Sequence, residues 1–247
     1  MKDVSKRILI TGASGFVGGR IAQAMQQKGY EVYAPSHDEM DVTSTESVLE
    51  YVGLVRPDRI LHLAAISDTG YCEAHPEESY LVNVVGAENI ALAAVMFKAK
   101  LVFFSSDQIY NGNLELGPLS EDASVSPENH YGRHKLLAEQ RILAVSDSAV
   151  VLRATWMYDI CRPGMRTHNN FVINLRRVVT EGGSLSYATR EYRGITWVDE
   201  VVRNIFCIVI AGSIHTIGDD FTIKTFCDCF VVFDFFINDQ NAVLWKF

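Results

Sequence analysis

No run of apolar residues in this chain reads as long enough to cross a bilayer. The longest, near Ile205 to Ala211 and Phe230 to Ile237, are too short or too interrupted. The start, MKDVSKR, is charged and leads into ILI, which Thr11 and Gly12 cut off, so no secretory signal is expected. Lysine and arginine form no cluster, and a net charge of −8 argues against a nucleic-acid partner. A disulfide framework is also missing. Cysteines 72, 161, 207, 227 and 229 are scattered and odd in number, which suits a reducing, cytoplasmic setting. Cys227 and Cys229 lack nearby histidines or a second cysteine pair, so no metal site is expected. There is no repeat, low-complexity tract or obvious linker. What remains is 247 residues of ordinary globular composition, enough for one large α/β domain or a domain and a half.

The organising stretch is Ile8 to Gly19, ILITGASGFVGG. Ile8 to Thr11 is apolar without alternation, as in a strand covered on both faces. Gly12, Gly15 and Gly18 follow at three-residue intervals, and Val17, Ile21, Ala24 and Met25 then share one helical face up to Gly29. A strand that turns through glycines into a helix leaves free N–H groups at the positive end of the helix dipole, a seat for a pyrophosphate. Gly12 allows the sharp turn, Gly15 the approach of phosphates, and Gly18 close packing of helix on strand.

Beyond it, strands are expected at Glu31 to Ala34, Arg59 to Ala65, Leu101 to Ser105 and Ala149 to Arg153. Helices are expected from a Thr43/Glu46 capping box to about Val55, from Pro76 to Val95, and from Tyr131 to Val145. Strand and helix alternate through the first 153 residues, which predicts a parallel sheet. Asn170 to Glu181 and Trp197 to Ala211 read as helices. The stretch from Asp219 to Phe247 holds seven of the 13 phenylalanines and has no clear period.

Tyr131 and Lys135 stand four apart at a helix start and so share a face. An ammonium beside a phenol favours the phenolate, so Lys135 is expected to lower the Tyr131 pKa. Such a tyrosine exchanges a proton with a carbonyl or alcohol oxygen, and the lysine can also hold a ribose. Ser105 and Ser106 end the fourth strand, at the sheet edge where ligands bind in open α/β folds.

These segments together carry a resemblance. TGASGFVG (Thr11 to Gly18), HLAA (His62 to Ala65), Asn83, FSSDQIYNG (Phe104 to Gly112), YGRHK (Tyr131 to Lys135) and LRATWMYD (Leu152 to Asp159) resemble the extended short-chain dehydrogenase/reductases, within them the dTDP-4-dehydrorhamnose reductase branch. The likeness runs from about Arg7 to Ile205. It implies an α/β, Rossmann-type doubly wound parallel sheet over residues 1–157. Residues 158–247 would be mainly a small, shortened substrate lobe with elements returning to the sheet.

By that resemblance Tyr131 is the proton donor, Lys135 its electrostatic partner and ribose anchor, and Ser106, four before Tyr110, completes the triad. The implied cofactor contacts are Gly12, Ser14, Gly15, Phe16, Val17, Gly18, Asp41, Val42, Leu63, Ala64, Ala65 and Asn83, with Tyr131 and Lys135. The implied substrate contacts are Asp107, Gln108, Trp156, Asn170 and Arg193; Arg190, Thr196 and Asp199 lie in the same approach to the lobe as Arg193. The reaction implied is hydride transfer between a nicotinamide and the keto group of a nucleotide sugar, in a protein that pairs as a homodimer.

Two details sort the relatives. Nucleotide-sugar dehydratases carry Thr-Asp-Glu where this chain has Ser106, Asp107 and Gln108, and glutamine cannot act as the base of an elimination. The end of the second strand (Tyr33 to Ser36) lacks the acid that usually marks NAD, with Asp38 slightly beyond, while Ser36 and His37 tolerate a 2′-phosphate. NADP(H) is therefore favoured and NAD(H) stays open. Two alternatives also stay open: a nucleotide-sugar epimerase with bound NAD, and a non-catalytic NADP-binding regulatory subunit like that of methionine adenosyltransferase.

Overall fold

Strand β1 (Arg7–Thr11) is buried on both sides and divides the molecule into two layers. Ile8 and Ile10 point into one, with Leu61, Val102 and Phe104; Leu9 points into the other, with Ile60, Leu101 and Phe103. The computed structural model describes residues 6–115, 119–120, 122–159, 171–184 and 194–211. Within them β1, β2 (Glu31–Tyr33), β3 (Arg59–His62), β4 (Lys100–Ser106) and β5 (Val150–Ala154) form a parallel sheet in the order β2-β1-β3-β4-β5. The order reverses between β1 and β3. This is the switch point at which a doubly wound sheet opens a crevice beyond its carboxyl ends.

Helix α1 (Phe16–Gln27) covers the first layer with Ile21, Ala22 and Met25. The second layer is covered by α2 (Thr45–Val55), α5 (Gly86–Phe97) and α6 (His130–Val145), through Val48, Val52, Ala87, Ile90, Ala91, Ala94, Ala138 and Ile142. Of these, each fully buried valine or isoleucine contributes about 1.5–3 kcal/mol relative to an exposed one, and the alanines less.

Several boundaries differ from the sequence reading. The cap of α2 is Ser44, which accepts from the Ser47 N–H, because Thr43 is held by the Asp41 carboxylate in an Asx turn. Strand β3 stops at His62 and not Ala65, since the Leu63 and Ala64 amides turn onto the Thr11 hydroxyl. A short helix α3 (Thr69–Ala74), capped by Asp68, fills part of the loop after β3.

The single helix expected from Pro76 is a 22-residue helix, Pro76–Phe97, long and apolar enough by composition to span a membrane, with half of its most apolar window buried in the protein. It consists of α4 (Pro76–Tyr80) and α5 joined through a π turn, Leu81–Val85. In sequence the apolar run is interrupted by Asn83, Glu88 and Asn89, and both asparagines face inward.

A second, two-stranded parallel sheet pairs β6 (Trp156–Tyr158) with β7 (Ile195–Trp197). Helix α7 (Phe171–Glu181) lies between them in the chain, and α8 (Val198–Ala211) follows directly and returns to the main sheet. Val201, Ile205, Ile208 and Val209 of α8 join the α1 layer.

The small sheet is tied to α1 by a buried ion pair: Arg20 donates to Asp159 at 2.6 and 3.2 Å, both side chains being almost wholly enclosed. Arg20 also donates to the Phe16 carbonyl, and the Trp197 indole donates to the other Asp159 oxygen. Removing one partner would strand the other charge in a dry environment. Asp159→Ala is therefore expected to lower stability by about 3–5 kcal/mol, read as a fall in the urea midpoint; an unchanged midpoint would show that the pair is solvated.

Candidate active site

The β1–α1 turn fits against the end of β3 with no room to spare. Gly12 has φ +70°, and a Cβ there would lie 2.7 Å from the Ala64 nitrogen. A Cβ on Gly18 would fall 2.3 Å from the Gly12 carbonyl oxygen, whereas one on Gly15 would meet only that same oxygen, at 3.1 Å. Gly12 and Gly18 thus serve packing, and Gly15 leaves the mouth of the turn open. Gly15 is also the N-cap of α1. It has no side chain to satisfy the first-turn amides, and that turn contains no acid. Phe16, Val17 and exposed Ser14 border this cradle. A helix start whose N-cap has no side chain suits the pyrophosphate of a dinucleotide.

Thr11 locks the neighbouring edge. Its hydroxyl accepts from the Leu63 and Ala64 amides (both 3.1 Å), so its own proton goes to His62 Nδ1 at 2.7 Å. His62 is then a neutral imidazole with its proton on Nε2, and burial, assisted by nearby Lys135, pulls its pKa down to about 3. Neither His62 Nε2 nor the buried Ser105 hydroxyl has a hydrogen-bond partner among the described residues.

Asn83, expected beside the cofactor, lies in the π turn with its amide fully engaged. It accepts from Ile66 N–H at 2.8 Å and donates to the Ile66 carbonyl and to Ser79 at 2.9 and 3.2 Å. It fixes the loop that follows Leu63, Ala64 and Ala65. Asp41 and Val42 are held likewise. Asp41 accepts from the Thr43 amide and hydroxyl, which keeps its carboxyl below the usual range, and the Val42 carbonyl accepts from Asn89.

At the end of β4, Ser106 caps a 3-10 turn, Asp107–Tyr110, accepting from the Gln108 N–H and donating to Asp107 at 3.2 Å each. Helix α6 begins against this turn. Asn129 caps it by accepting from Gly132 N–H at 2.7 Å, and donates to the Gln108 amide oxygen at 3.0 Å. Gly132 is required there, since a Cβ would lie 2.4 Å from the Gln108 carbonyl oxygen. This contact sets the Tyr131 hydroxyl beside Ser106, near enough for Ser106 to act on its ionisation. Lys135, one turn on and 3 % exposed, donates to the Phe104 carbonyl at 2.8 Å, with its Nζ 5.9 Å from the Tyr131 ring centre.

The electrostatics correct one expectation. The Tyr131 phenol is pushed up, not down: burial dominates, the Ser106 hydrogen bond only partly offsets it, and Asp107 and Cys72 add to the rise. Lys135 does not reverse this because its ammonium faces the Phe104 carbonyl, and burial lowers its own pKa to about 8 against the pull of Glu139. Tyr131 is therefore a protonated phenol at neutral pH. A carbonyl oxygen reaching the two hydroxyls could take a proton from Tyr131 while Ser106 holds it.

Of the expected substrate contacts, Asp107 borders this pair, Gln108 is turned onto Asn129 and Asn111, and half-buried Trp156 opens β6. Thr196 bonds Thr155 across the small sheet, and Asp199 lies in the first turn of α8. Asn170, Arg190, Arg193 and the Asp219–Phe247 stretch lie outside the described residues. Thr11, Gly132 and Cys72 were not singled out from the sequence as parts of this site. Cys72 is wholly buried, donates to the Ile66 carbonyl, and is a neutral thiol raised by burial. Of these, Gly132 carried a readable signal, standing directly after the tyrosine at a predicted helix start.

Comparison with known proteins places the geometry. The chain is 31% identical over 209 residues to dTDP-4-dehydrorhamnose reductase of Mycolicibacterium smegmatis, covering 85% of this chain and 62% of that one. It is 32% identical over 152 residues to the spore coat polysaccharide biosynthesis protein SpsK of Bacillus subtilis, covering 62% and 53%. The chain thus spans less than two thirds of either relative. The crystal structure of dTDP-4-dehydrorhamnose reductase from Bacillus anthracis in complex with NADP superposes with a TM-score of 0.78 at 26% identity, covering 86% of this chain and 73% of that one. UDP-glucose 4-epimerase of Thermotoga maritima, at 22% identity and a TM-score of 0.72, shares the fold. The family model described as RmlD substrate binding domain matches residues 6–217, the span that holds the glycine turn, the Thr11 clasp and the Tyr131–Ser106 pair, and the chain belongs to that family.

Proposed function

We propose that the chain reduces the 4-keto group of a nucleotide-linked sugar with a nicotinamide cofactor, NADPH being favoured and NADH open. The observation that carries this reading is the protonated Tyr131 phenol beside Ser106, with Lys135 across the ring, at the sheet edge near a glycine turn suited to a dinucleotide. The reductases among its relatives support the choice of substrate class. When bound, the reduced nicotinamide supplies the hydride. Tyr131 gives its proton to the developing alkoxide, and Ser106 holds that oxygen in line. The Lys135 ammonium then steadies the phenolate left on Tyr131.

Gly12, Ser14, Gly15, Phe16, Val17 and Gly18 would hold the pyrophosphate, with Leu63 to Ala65 bordering it. Asp41 and Val42 would border the adenine, and Asn83 would act through the Ile66 loop. Asp107 and Trp156, with Asn170 and Arg193, would face the sugar nucleotide, in a lobe formed mainly by residues 158–247 while α8 returns to the sheet. Elimination is disfavoured, because the Gln108 amide has no basic site and is spent on Asn129. A cytoplasmic location and a homodimer go with the reading.

A thermal-shift screen tests it directly. NADPH should raise Tm, Gly15→Val should abolish that shift, and a dTDP-linked 4-keto sugar should add a further one. Tyr131→Phe should keep NADPH affinity and lose about 10²–10⁴-fold in kcat; turnover at the wild-type rate would remove Tyr131 from the chemistry.

Lys135 carries a cost that is separately measurable. With a folded pKa of about 8 against 10.5 for the ordinary side chain, the unfolded chain binds more protons than the folded one between those values. Native stability therefore rises with pH through that window, and the full penalty of the buried charge is present below it. Lys135→Met should stabilise the free protein at pH 7 by about 1–3 kcal/mol and flatten this rise while abolishing turnover. Equal pH slopes for the two proteins would mean that Lys135 is not buried as a charge.

A further inference from the structure

Helix α6 carries Tyr131 in its first turn, yet that turn contains no acid of its own. One reaches it from another helix. Glu73, near the end of α3, places its carboxylate at the start of α6, where Oε1 accepts from the backbone N–H of His130 at 2.5 Å. His130 is the first residue of α6 and directly precedes Tyr131. Its N–H is one of the four at a helix start that have no carbonyl partner within the helix. A carboxylate suits that place through both the hydrogen bond and the helix dipole. Asn129 takes the Gly132 N–H of the same turn and donates to Gln108. The turn is thus held from two sides: from the end of β4 through Gln108, and from the segment after β3 through Glu73.

Helix α3 is itself fixed to that segment. Asp68 caps it by accepting from the Tyr71 N–H at 2.8 Å, and Cys72, wholly buried and next to Glu73, donates to the Ile66 carbonyl at 3.4 Å. Asn83 grips the same Ile66 through its N–H and carbonyl. Glu73 extends this set of contacts to the peptide that precedes the tyrosine.

On the reading of Tyr131 as proton donor, we infer that Glu73 is a positioning residue for the reduction: by holding the His130 N–H, its carboxylate keeps the first turn of α6, and with it the Tyr131 phenol, where Ser106 and a substrate oxygen can both reach it. Glu73 neither gives nor takes the proton. A phenol on the first turn of a helix moves with that turn, and loss of Glu73 removes the restraint on the α3 side. Slight misplacement of a reacting group lowers the rate of the chemical step without weakening binding. The second Glu73 oxygen lies 3.9 Å from His130 Nε2, so ring and amide are separate partners that substitution can tell apart.

The test is steady-state reduction of a dTDP-linked 4-keto sugar by the full chain, with the Kd for NADPH measured separately by cofactor fluorescence. Glu73→Ala should lower kcat and kcat/KM together by about tenfold, leaving KM and the NADPH Kd unchanged. Glu73→Gln keeps an acceptor oxygen and should restore most of the rate. His130→Ala keeps the N–H and should match the wild type. His130→Pro deletes the N–H at a helix position that suits proline, after an Asn129 that is already extended (φ −99°, ψ 159°), and should match Glu73→Ala. Glu73→Ala added to His130→Pro should cost nothing further. A wild-type kcat in Glu73→Ala, or its full loss repeated in the His130→Pro background, overturns the inference and leaves the Tyr131 chemistry standing. A change confined to KM or to the NADPH Kd also overturns it, since α3 would then serve binding alone. A wild-type chain without turnover overturns both.

Discussion

The architecture rests on backbone-to-backbone contact between the β1–α1 turn and the residues that leave β3. Gly12 and Gly18 allow it by having no Cβ, and Thr11 secures it with one hydroxyl that accepts from two amides and donates to a buried imidazole. Because β1 and β3 are neighbours at the point where strand order reverses, the clasp sets the width of the crevice above the sheet. A side chain at Gly12 or Gly18 would push the turn off its neighbour and move the helix whose first amides form the cradle. Both layers of apolar packing begin on the same strands, so the site and the core share one set of constraints.

Above that edge, burial outweighs pairwise charge. A phenol and an ammonium on one helix face should depress the phenol in water. Here both are enclosed, and each is driven towards its neutral form: Tyr131 upward, Lys135 downward to about 8. Glu139, one helical turn beyond Lys135, counters the fall and is itself held by Arg153, which also donates to Tyr110 at the end of the 3-10 turn. A line of side chains therefore joins the β4 edge, β5 and the interior of α6. The free protein presents Tyr131 as a protonated phenol, with the Lys135 ammonium held by the Phe104 carbonyl.

Much of this was legible in the chain. The unbroken apolar run before three spaced glycines specifies a buried strand, its turn and a helix, since few other backbones suit all three at once. Tyr131, Lys135 and the serines were readable because helical periodicity and strand ends alone bring them to one edge. The pKa order was not, because desolvation depends on what encloses a group, and Phe103, Cys72 and the Ile66 loop come from distant segments. Nor was the Arg20–Asp159 tie, which joins positions 139 residues apart and leaves no local pattern. The cap of α2 falls one residue beyond the one the sequence pattern suggests, because Asp41 holds Thr43 and leaves Ser44 to take the Ser47 amide.

The π turn broadens the inward face of the longest helix among the described residues. Its inner face must pack Ala87, Ile90, Ala91 and Ala94 against the sheet, while its first half must reach the loop after β3 with a polar group. On a regular helix Ser79, Asn83, Ala87 and Ile90, spaced four, four and three apart, already share one face; the π turn broadens the inward set. Widening the turn at Leu81–Val85 lets Asn83, Val84, Gly86 and Ala87 all face the interior. Asn83 then takes the N–H and C=O of Ile66, and Ser79, which accepts from Asn83, is also hydrogen-bonded to His134 Nδ1 on α6. The Ile66 loop and the helix that carries Tyr131 are thus tied to the same turn.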